Sequence, residues 1–420
     1  MKRADLSPAV QQSLRRLPEP YANHYGVVPP PPPLQPPSVV AVARRHAEAM
    51  ASLVRLETIA SELREPWLVS RVLLRREAVS SSAIEGTNST LAELLAVEEG
   101  AFEDDQERRQ AAVQVRDYAL SLEAFLPEAK RRGQDVVDFE LIRALHRSVM
   151  RGDTEYEDTP GEFRRRVVWI GGAGNIAYST YNPAPPDDVL PCLRDSVAYM
   201  RGDGYEAVHS SILTRMAVAH AHFEAVHPFR DGNGRVGRLL LPLMMAAEGH
   251  LPLYLSPFIE ANKAAYYAAL KAAQQRHEWH EMTGFVADAV SGTVDELLAT
   301  RRALADLGAE WRARRRFRAG SASLRALSLL PDFPVLTIGR LASELAVSWA
   351  QASTAVEQLV DAGILRERTG HRRNRLFAAT EVLALINRPF GAEPVIGEPA
   401  VGDDDDDVDG SQRRMSGGPR

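Results

Sequence analysis

The sequence predicts a mainly α-helical protein with a small β-hairpin and a C-terminal winged helix-turn-helix domain. Three features of the sequence favour this fold class. Apolar residues recur with helical spacing through most of residues 105–300. Two short β-prone runs flank the glycine-rich bend at 171–174, a pattern typical of a hairpin. Residues 338–345 and 349–361 form two helical segments separated by a short turn, as in a helix-turn-helix.

Along the chain, composition and periodicity change at several points and mark its predicted segments. These are a proline-rich N-terminal arm with little regular pattern (1–45), a helical segment (46–100), a helical core (101–300), a basic linker helix (301–319), the winged-helix domain (320–390) and a disordered acidic tail (391–420). The arm contains a polyproline stretch, Pro29–Pro33 with Pro36 and Pro37, and we expect it to lie along the helical core.

Composition excludes several classes of protein. The chain has 45% hydrophobic and 25% charged residues, which is typical of a soluble globular protein. Its single cysteine, Cys192, excludes an intrachain disulfide and is interpreted as a buried small hydrophobe. No apolar run is long enough to span a membrane, so we expect a cytoplasmic protein with no membrane partner. A net charge of −6 argues against a globally basic nucleic-acid binder.

The most informative segment is 227–238, which reads HPFRDGNGRVGR. Gly232 and Gly234 flank Asn233, so the backbone can adopt positive φ there and approach a ligand closely. Successive N–H groups in such a turn form an anion-binding nest. A helix is expected to begin near Arg235, and its N-terminus would point at the same anion. The backbone of this segment is therefore suited to phosphate.

The side chains of the same segment suit chemistry at phosphorus. Arg235 and Arg238 are three residues apart on one helix face, and both guanidinium groups can bind one polyphosphate. Asp231 can hold Mg²⁺. His227 is the natural general base, because an unperturbed pKa of about 6.5 allows proton uptake at neutral pH. Together these residues predict phosphate-ester or phosphoanhydride chemistry.

This segment resembles the active-site motif of Fic-domain adenylyltransferases, H-P-F-x-D-G-N-G-R-x-x-R. The resemblance implies a Fic-fold helical core that transfers AMP from ATP to a Ser, Thr or Tyr hydroxyl of a target protein. A branch of the family that transfers phosphate carries Lys at the position of Gly234, so glycine favours nucleotidyl transfer. The implied roles are general base for His227, Mg²⁺ ligand for Asp231, α-phosphate contact for Asn233, β- and γ-phosphate contacts for Arg235 and Arg238, and nucleotide binding by the turn at Gly232 and Gly234.

A second motif, Ser81-Ser82-Ala83-Ile84-Glu85-Gly86, lies in an apolar-periodic stretch from 67 to 95. It resembles the inhibitory helix of Fic proteins, [ST]-x-x-x-E-[GN], with Ser81 and Glu85 on one helix face. The resemblance implies that Glu85 pairs with Arg238 and removes the partner of the γ-phosphate. One alternative is that Glu85 is a solvated helix charge. Glu85 is also compatible with a bifunctional enzyme, in which it aligns a water for removal of AMP from a modified target, as in some relatives.

The resemblance implies two further surfaces. The hairpin around 165–181 would be a flap on which an extended segment of the target adds as a strand, whereas the alternative is an ordinary surface hairpin. The helix around 262–270 would line the nucleotide pocket. Asn262, Tyr266 and Tyr267 are its candidate contacts, with one of the tyrosines expected in the core.

The resulting prediction is a protein adenylyltransferase that uses ATP and Mg²⁺, modifies a protein target and is autoinhibited by Glu85. The runner-up is a winged-helix transcriptional regulator with the Fic core as nucleotide sensor, although intact His227 and Asp231 favour live chemistry. The wing is basic, with Arg372, Arg373 and Arg375, but helix 349–361 contains no Arg or Lys. DNA binding and protein docking therefore both stay open for this domain, as does a homodimer.

Overall fold

The computed structural model describes residues 1–33, 38, 40–63, 71–100, 106–204, 211–369 and 375–397. The chain is 64% helical, which confirms the mainly α prediction. None of the helices in these ranges is long and apolar enough to cross a membrane. Several predictions concern positions outside them, namely residues 67–70, Pro36, Pro37, Gly370, Arg372, Arg373 and the acidic tail from 398 onward.

The helices and strands are numbered in chain order within the described ranges. The helices are α1 (Pro8–Gln12), α2 (Ala43–Leu63), α3 (Arg71–Ile84), α4 (Leu91–Glu98), α5 (Gln106–Arg132), α6 (Phe139–Val149), α7 (Val189–Arg201), α8 (Ile212–Val226), α9 (Asn233–Ala247), α10 (Ser256–Ala261), α11 (Lys263–Arg276), α12 (Trp279–Arg314), α13 (Ala322–Leu329), α14 (Ile338–Leu345), α15 (Trp349–Asp361) and α16 (Thr380–Asn387). The strands are β1 (Leu14–Arg16), β2 (Tyr25–Val27), β3 (Val335–Thr337), β4 (Arg366–Glu367) and β5 (Leu376–Ala378).

Two consecutive buried helices, α8 and α9, form the centre of the core and carry the motif between them. Every residue of α8 is buried, and α9 is buried along nearly its whole length. Around them pack α3, α5, α6, α7, α11 and α12. Because both flanking helices are packed on all sides, the loop at 227–232 has a rigid support on either side.

The N-terminal arm has more regular structure than we predicted. It contains α1 and an antiparallel β1–β2 ladder, in which Leu14 pairs with Val27. The arm does lie along the helical core, because the Ser7 N–H donates to the Gln275 carbonyl at 2.9 Å. Cys192 is buried beneath it, with Sγ 3.8 Å from the Pro29 carbonyl, as predicted for a small hydrophobe.

The predicted hairpin flap is reduced to one antiparallel bridge, between Ile170 and Tyr181. Residues 171–174 all adopt positive φ, and Ile176–Tyr178 form a 3₁₀ turn. Residues in these turn conformations cannot extend the β-ladder beyond the single bridge. The segment is therefore a closed loop rather than a pair of strands.

The predicted linker helix at 301–319 is the last part of α12, which runs unbroken for 36 residues and ends at Arg314. At 1.5 Å per residue it is about 54 Å long. Trp311 is buried, and its Nε1 donates to Glu381 of α16 at 2.8 Å. The C-terminal domain thus packs directly on α12 without a separate linker.

In the C-terminal domain, α13, β3, α14, α15, β4 and β5 follow one another, and the strands form an antiparallel sheet in the order β3-β5-β4. The two helices predicted at 338–345 and 349–361 have these bounds in the structure. Trp349, the first residue of α15, has 64% of its surface exposed. The interpretation of the domain's function stays a prediction.

Candidate active site

His227 caps the C-terminus of α8 in a left-handed conformation, with φ of +50°. Its N–H donates to the Phe223 carbonyl at 2.9 Å, so the helix ends on this residue. Burial, together with the positive charge of Arg164, lowers the pKa of His227 to about 4. The imidazole is therefore neutral at pH 7 and free to accept a proton.

Arg164 fixes the backbone at this histidine, a role that the sequence did not indicate. Its Nε donates to the His227 carbonyl at 2.7 Å, and its Nη2 to the Ala184 carbonyl at 2.8 Å. Its own N–H donates to the Pro228 carbonyl at 2.9 Å. Only 4% of Arg164 is exposed, so it joins the start of the flap segment to the loop at 227–232, the candidate catalytic loop, from inside the protein.

The turn after His227 leads directly into α9, which begins two residues before the predicted position. Gly232 has φ of +76°, and a Cβ at this position would lie 2.8 Å from Met150 Sδ. The Asn233 side chain does not point to an empty phosphate site. Its Oδ1 accepts from the Phe229 N–H at 2.8 Å, and its Nδ2 donates to the Phe229 carbonyl at 2.9 Å. Both polar atoms thus brace the turn in this structure, and the α-phosphate contact of this side chain stays a prediction.

Arg235 is 5% exposed and has only weak partners. Nη1 lies 3.4 Å from the Val149 carbonyl, and Nη2 lies 3.2 Å from Met150 Sδ. Its Nε has no hydrogen-bond partner within the described ranges. The Asp231 carboxylate, 64% exposed, is 3.7 Å away. A buried guanidinium with an unused donor is suited to an anion that enters from outside.

Arg238 is the most buried charge of the motif, at 1% exposure. Its Nε donates to Ser81 Oγ at 2.9 Å and its Nη2 to the Ser81 carbonyl at 3.0 Å. The same Nη2 donates to Glu85 Oε1 at 2.7 Å. The contact between α3 and the motif that the family resemblance implied is therefore present.

The Glu85 carboxylate lies against the N-terminus of α9. A Cβ placed on Gly234 would overlap Glu85 Oε1, so a larger residue here would require the carboxylate to shift. Burial alone would raise the pKa of Glu85, but the facing Arg238 outweighs it and the pKa is lowered. The group is thus ionised at neutral pH and places a negative charge where a phosphate could bind.

Other contacts hold α3 in this position. The buried Glu77 carboxylate accepts from the Ser256 N–H at 2.8 Å, from Ser256 Oγ at 2.5 Å and from the Tyr118 hydroxyl at 3.1 Å. At the end of the helix, Lys263 Nζ donates to the Ile84 carbonyl at 2.6 Å. The helix that leads to Glu85 is therefore anchored in its middle and at its C-terminal end.

Two protein-family models match this chain. Residues 136–245 match the Fic/DOC family, and residues 43–124 match the Fic/DOC family N-terminal domain. The first match contains the catalytic loop, and the second contains α3 with Glu85. The chain therefore contains a Fic domain.

Curated relatives match the Fic domain over part of their length. The chain is 34% identical over 137 residues to protein adenylyltransferase fic-1 of Caenorhabditis briggsae, covering 33% of this chain and 24% of the relative. It is 29% identical over 154 residues to protein adenylyltransferase Fic of Drosophila erecta, covering 37% and 28%. The chain thus spans about a quarter of these relatives.

A crystal structure of a Fic family protein from Desulfovibrio desulfuricans G20 superposes with a TM-score of 0.52 at 21% identity. The match covers 82% of this chain and 98% of that one. At this level of identity the likeness concerns the fold, and it confirms the Fic helical fold predicted here.

Beneath Arg238, the floor of the Fic site is polar but closed. Tyr266 is 1% exposed, and its hydroxyl lies 2.7 Å from His220 Nε2. It is therefore the tyrosine that lies in the core, as expected for one of the two, and its contact with a nucleotide stays a prediction. The amide of Asn262, the other predicted contact, instead donates to the Phe258 carbonyl at 2.9 Å. Tyr267 is 46% exposed and remains the accessible tyrosine of α11.

Two more residues of the Fic site were missed by the sequence analysis. Burial raises the pKa of Glu224 to about 8, so this carboxyl is largely protonated at pH 7. His146 stacks on Phe229 with ring centroids 3.7 Å apart, accepts from the Gly161 N–H at 2.7 Å and lies 3.0 Å from the Asp231 carbonyl. It joins the turn before the flap segment to the loop at Asp231. No local sequence pattern indicates the protonated state of Glu224 or the contacts of His146.

The donor set suits a nucleotide-bound cation. Within the described ranges, no group of three or more His, Cys, Asp or Glu side chains forms an all-protein metal centre. Asp231 instead offers a single, largely exposed carboxylate beside the loop. Mg²⁺ is commonly held by one or two carboxylates together with substrate phosphates and water, so these residues fit Mg²⁺–ATP.

Proposed function

We propose that this Fic-domain protein is a protein adenylyltransferase that moves AMP from ATP to a hydroxyl side chain of a protein. The observation that carries the proposal is the placement of a neutral His227 and two buried arginines, Arg235 and Arg238, around the N-terminus of α9. The similarity to curated adenylyltransferases over the same region supports it. The adenylyltransferase activity of those relatives is that of whole proteins, which are about four times as long as the region that matches this chain.

In the proposed reaction, His227 takes the proton of a Ser, Thr or Tyr hydroxyl. The hydroxyl oxygen bonds to the α-phosphorus of ATP, the bond from this phosphorus to the bridging oxygen breaks, and pyrophosphate leaves. Arg235 and Arg238 would hold the departing phosphates, together with the N–H groups of the Gly232–Gly234 turn. Asp231 would hold Mg²⁺, which neutralises phosphate charge. The protein's contribution is mainly positioning and charge stabilisation.

We further propose that the resting chain inhibits itself. With Glu85 on Arg238, the γ-phosphate loses its strongest partner and meets a negative charge instead. ATP that enters would then bind with its α-phosphate out of line with His227. A solvated helix charge, the alternative considered for Glu85, is less compatible with its 2.7 Å contact to a guanidinium that is 1% exposed.

The deciding experiment uses α-labelled ATP with Mg²⁺ and three proteins: the parent, Glu85→Gly, and Glu85→Gly combined with His227→Ala. We expect label on protein only with the Glu85→Gly single variant. That result would support nucleotidyl transfer, the base and the inhibitory contact together. Absence of label from all three, with ATP still bound, would contradict the proposed activity and favour another donor or the nucleotide-sensor function.

Removal of AMP is a second candidate activity, because Glu85 also lies close enough to His227 to raise its pKa. An ionised carboxylate near the base could align a water for attack on a modified target. The assay is release of AMP from a target labelled by Glu85→Gly, with parent protein added afterwards. Unchanged label would exclude this activity for that target. Location in the cytoplasm, DNA binding and a homodimer stay predictions.

A further inference from the structure

Two adjacent carboxylates at the end of α4 have partners in different parts of the molecule. Glu98 accepts from Arg75 Nε of α3 at 3.0 Å. Glu99 accepts from Thr337 Oγ1 at 3.0 Å and from Arg340 Nε at 2.8 Å, both in the C-terminal domain. The Glu98 and Glu99 side chains are only 8% and 4% exposed. The end of α4 therefore joins α3 to the C-terminal domain through shielded, charge-assisted hydrogen bonds.

An aromatic side chain strengthens the same junction. The Arg71 guanidinium, at the start of α3, lies 5.0 Å from the centre of the Phe333 ring, and the Arg340 guanidinium lies 6.0 Å from it. Arg71 also pairs with Glu98. Phe333 thus contacts one arginine from α3 and one from its own domain.

A separate set of contacts joins α3 to the chain that follows α16. Arg76 Nη2 donates to the Arg388 carbonyl at 3.1 Å. Arg76 and Arg388 also pair with opposite oxygens of Glu296 in α12, at 3.2 and 2.9 Å. Glu296 is 7% exposed, so the C-terminal domain, α12 and α3 share one buried carboxylate.

We propose that the C-terminal domain is a clamp that keeps the inhibitory helix α3 on the catalytic arginine, so that displacing this domain would activate the enzyme. The proposal rests on the proposed autoinhibition by Glu85. The C-terminal domain contacts this segment of the chain at Arg71 and Arg76. The same segment contacts Arg238 through Ser81 and Glu85.

The geometry of α3 makes such transmission reasonable. The distance from Arg71 to Glu85 along the helix is about 20 Å at 1.5 Å per residue. A continuous hydrogen-bonded helix moves as one body over this length, so a shift at its first turns displaces its last turn. A partner that binds the C-terminal domain and breaks the Glu99–Arg340 contact would thereby loosen Glu85 from Arg238.

A clamp and a purely structural interface predict opposite changes in AMP transfer when the contacts are broken. If the contacts only stabilise the fold, breaking them lowers activity or leaves it unchanged. If they hold the inhibitory contact, breaking them raises AMP transfer. Arg340→Ala removes the contacts to both Glu99 and Phe333 while leaving the catalytic residues untouched.

The test measures AMP transfer from α-labelled ATP by the full-length parent, Arg340→Ala, Glu85→Gly and the double variant. We expect Arg340→Ala to be at least about fivefold more active than the parent, the lower end of typical coupling between two sites. The double variant should be no more active than Glu85→Gly alone. Arg131→Ala, which removes an exposed arginine that pairs within α5, is the matched control and should equal the parent.

A second readout follows α3 directly. Amide hydrogen exchange of residues 77–85 should be faster in Arg340→Ala than in the parent and unchanged in Arg131→Ala. Glu99→Gln, which keeps the shape of the side chain, should show the same direction with a smaller effect. It serves as the test variant if Arg340→Ala does not fold.

The outcomes separate the two proposals. An inactive Glu85→Gly would contradict the proposed function itself. An active Glu85→Gly, with Arg340→Ala and Glu99→Gln no more active than the parent and with unchanged exchange in α3, would overturn the clamp. So would an additive gain in the double variant, because the clamp acts only through Glu85.

Discussion

Replacing Glu85 should strengthen ATP binding, because the carboxylate and the polyphosphate compete for Arg238. In the structure, Glu85 Oε1 accepts from Arg238 Nη2 at 2.7 Å and lies against Gly234 at the start of α9. A phosphate oxygen can reach this arginine only after the carboxylate has moved. The free energy of the Glu85–Arg238 contact is therefore subtracted from the binding free energy of ATP.

The size of the effect follows from the type of hydrogen bond. A bond that involves a charged group contributes about 1.5–3 kcal/mol, and a neutral one about 0.5–1.5 kcal/mol. Glu85→Ala removes the whole contact and should tighten ATP binding roughly 10- to 150-fold. Glu85→Gln keeps an acceptor without the negative charge, so the gain should be about 1–1.5 kcal/mol, or roughly 5- to 12-fold.

Calorimetric titration with ATP and Mg²⁺ would measure these constants, in a His227→Ala background that prevents turnover. Glu48→Gln is the matched control, because Glu48 is an exposed residue of α2 that pairs only with its helix neighbour Arg44 among the contacts described. The expected order of affinity is parent, then Glu85→Gln, then Glu85→Ala as the tightest. Equal dissociation constants for the parent and Glu85→Ala would refute the competition on which the autoinhibition argument depends.

Three further predictions concern the catalytic loop. Because burial lowers the pKa of His227 to about 4 and the base acts when neutral, kcat/KM of Glu85→Gly should stay level from pH 8 to 6 and fall only as pH approaches about 4; a fall centred near pH 6.5 would contradict this burial effect. Arg164→Met should lower the free energy of unfolding in urea by about 2–4 kcal/mol, because buried carbonyls lose their donors. It should also move the acid-side fall in kcat/KM to higher pH, because the positive charge of Arg164 helps to lower the pKa of His227. Asn233→Ala should reduce AMP transfer at least about tenfold, because unbraced main-chain groups in the turn cost about 1–3 kcal/mol; unchanged transfer would show that the brace is dispensable.

The sequence predicted those parts of the molecule that depend on neighbours along the chain. The bounds of α14 and α15 follow from apolar spacing and the short turn between them. The catalytic loop follows from glycine placement and the start of an apolar helix. The sequence also permits the unbroken helix α12, because residues 279–314 contain no proline to end it.

The rest depends on contacts between distant segments, which one sequence does not reveal. Arg164 contacts a carbonyl 63 residues away, and the His146 ring lies near a carbonyl 85 residues away. The side-chain contacts of Asn233 and Asn262 have a different origin. Both amides bond to the main chain four residues earlier, a local option that competes with ligand binding for this type of side chain.

Burial of Arg238 gives a physical reason for the proposed inhibition and the proposed catalysis to use the same residue. A guanidinium that is 1% exposed needs an acceptor at all times, because an unpaired buried charge destabilises a protein by about 3–5 kcal/mol. Ser81 supplies two acceptors, and Glu85 supplies the compensating charge in the resting chain. When Glu85 leaves, the same charge has to come from outside, and a phosphate is the anion best matched to a guanidinium. The Glu85–Arg238 contact therefore stabilises the empty site and, if the proposed inhibition holds, preserves an arginine that would bind phosphate strongly once the contact is broken.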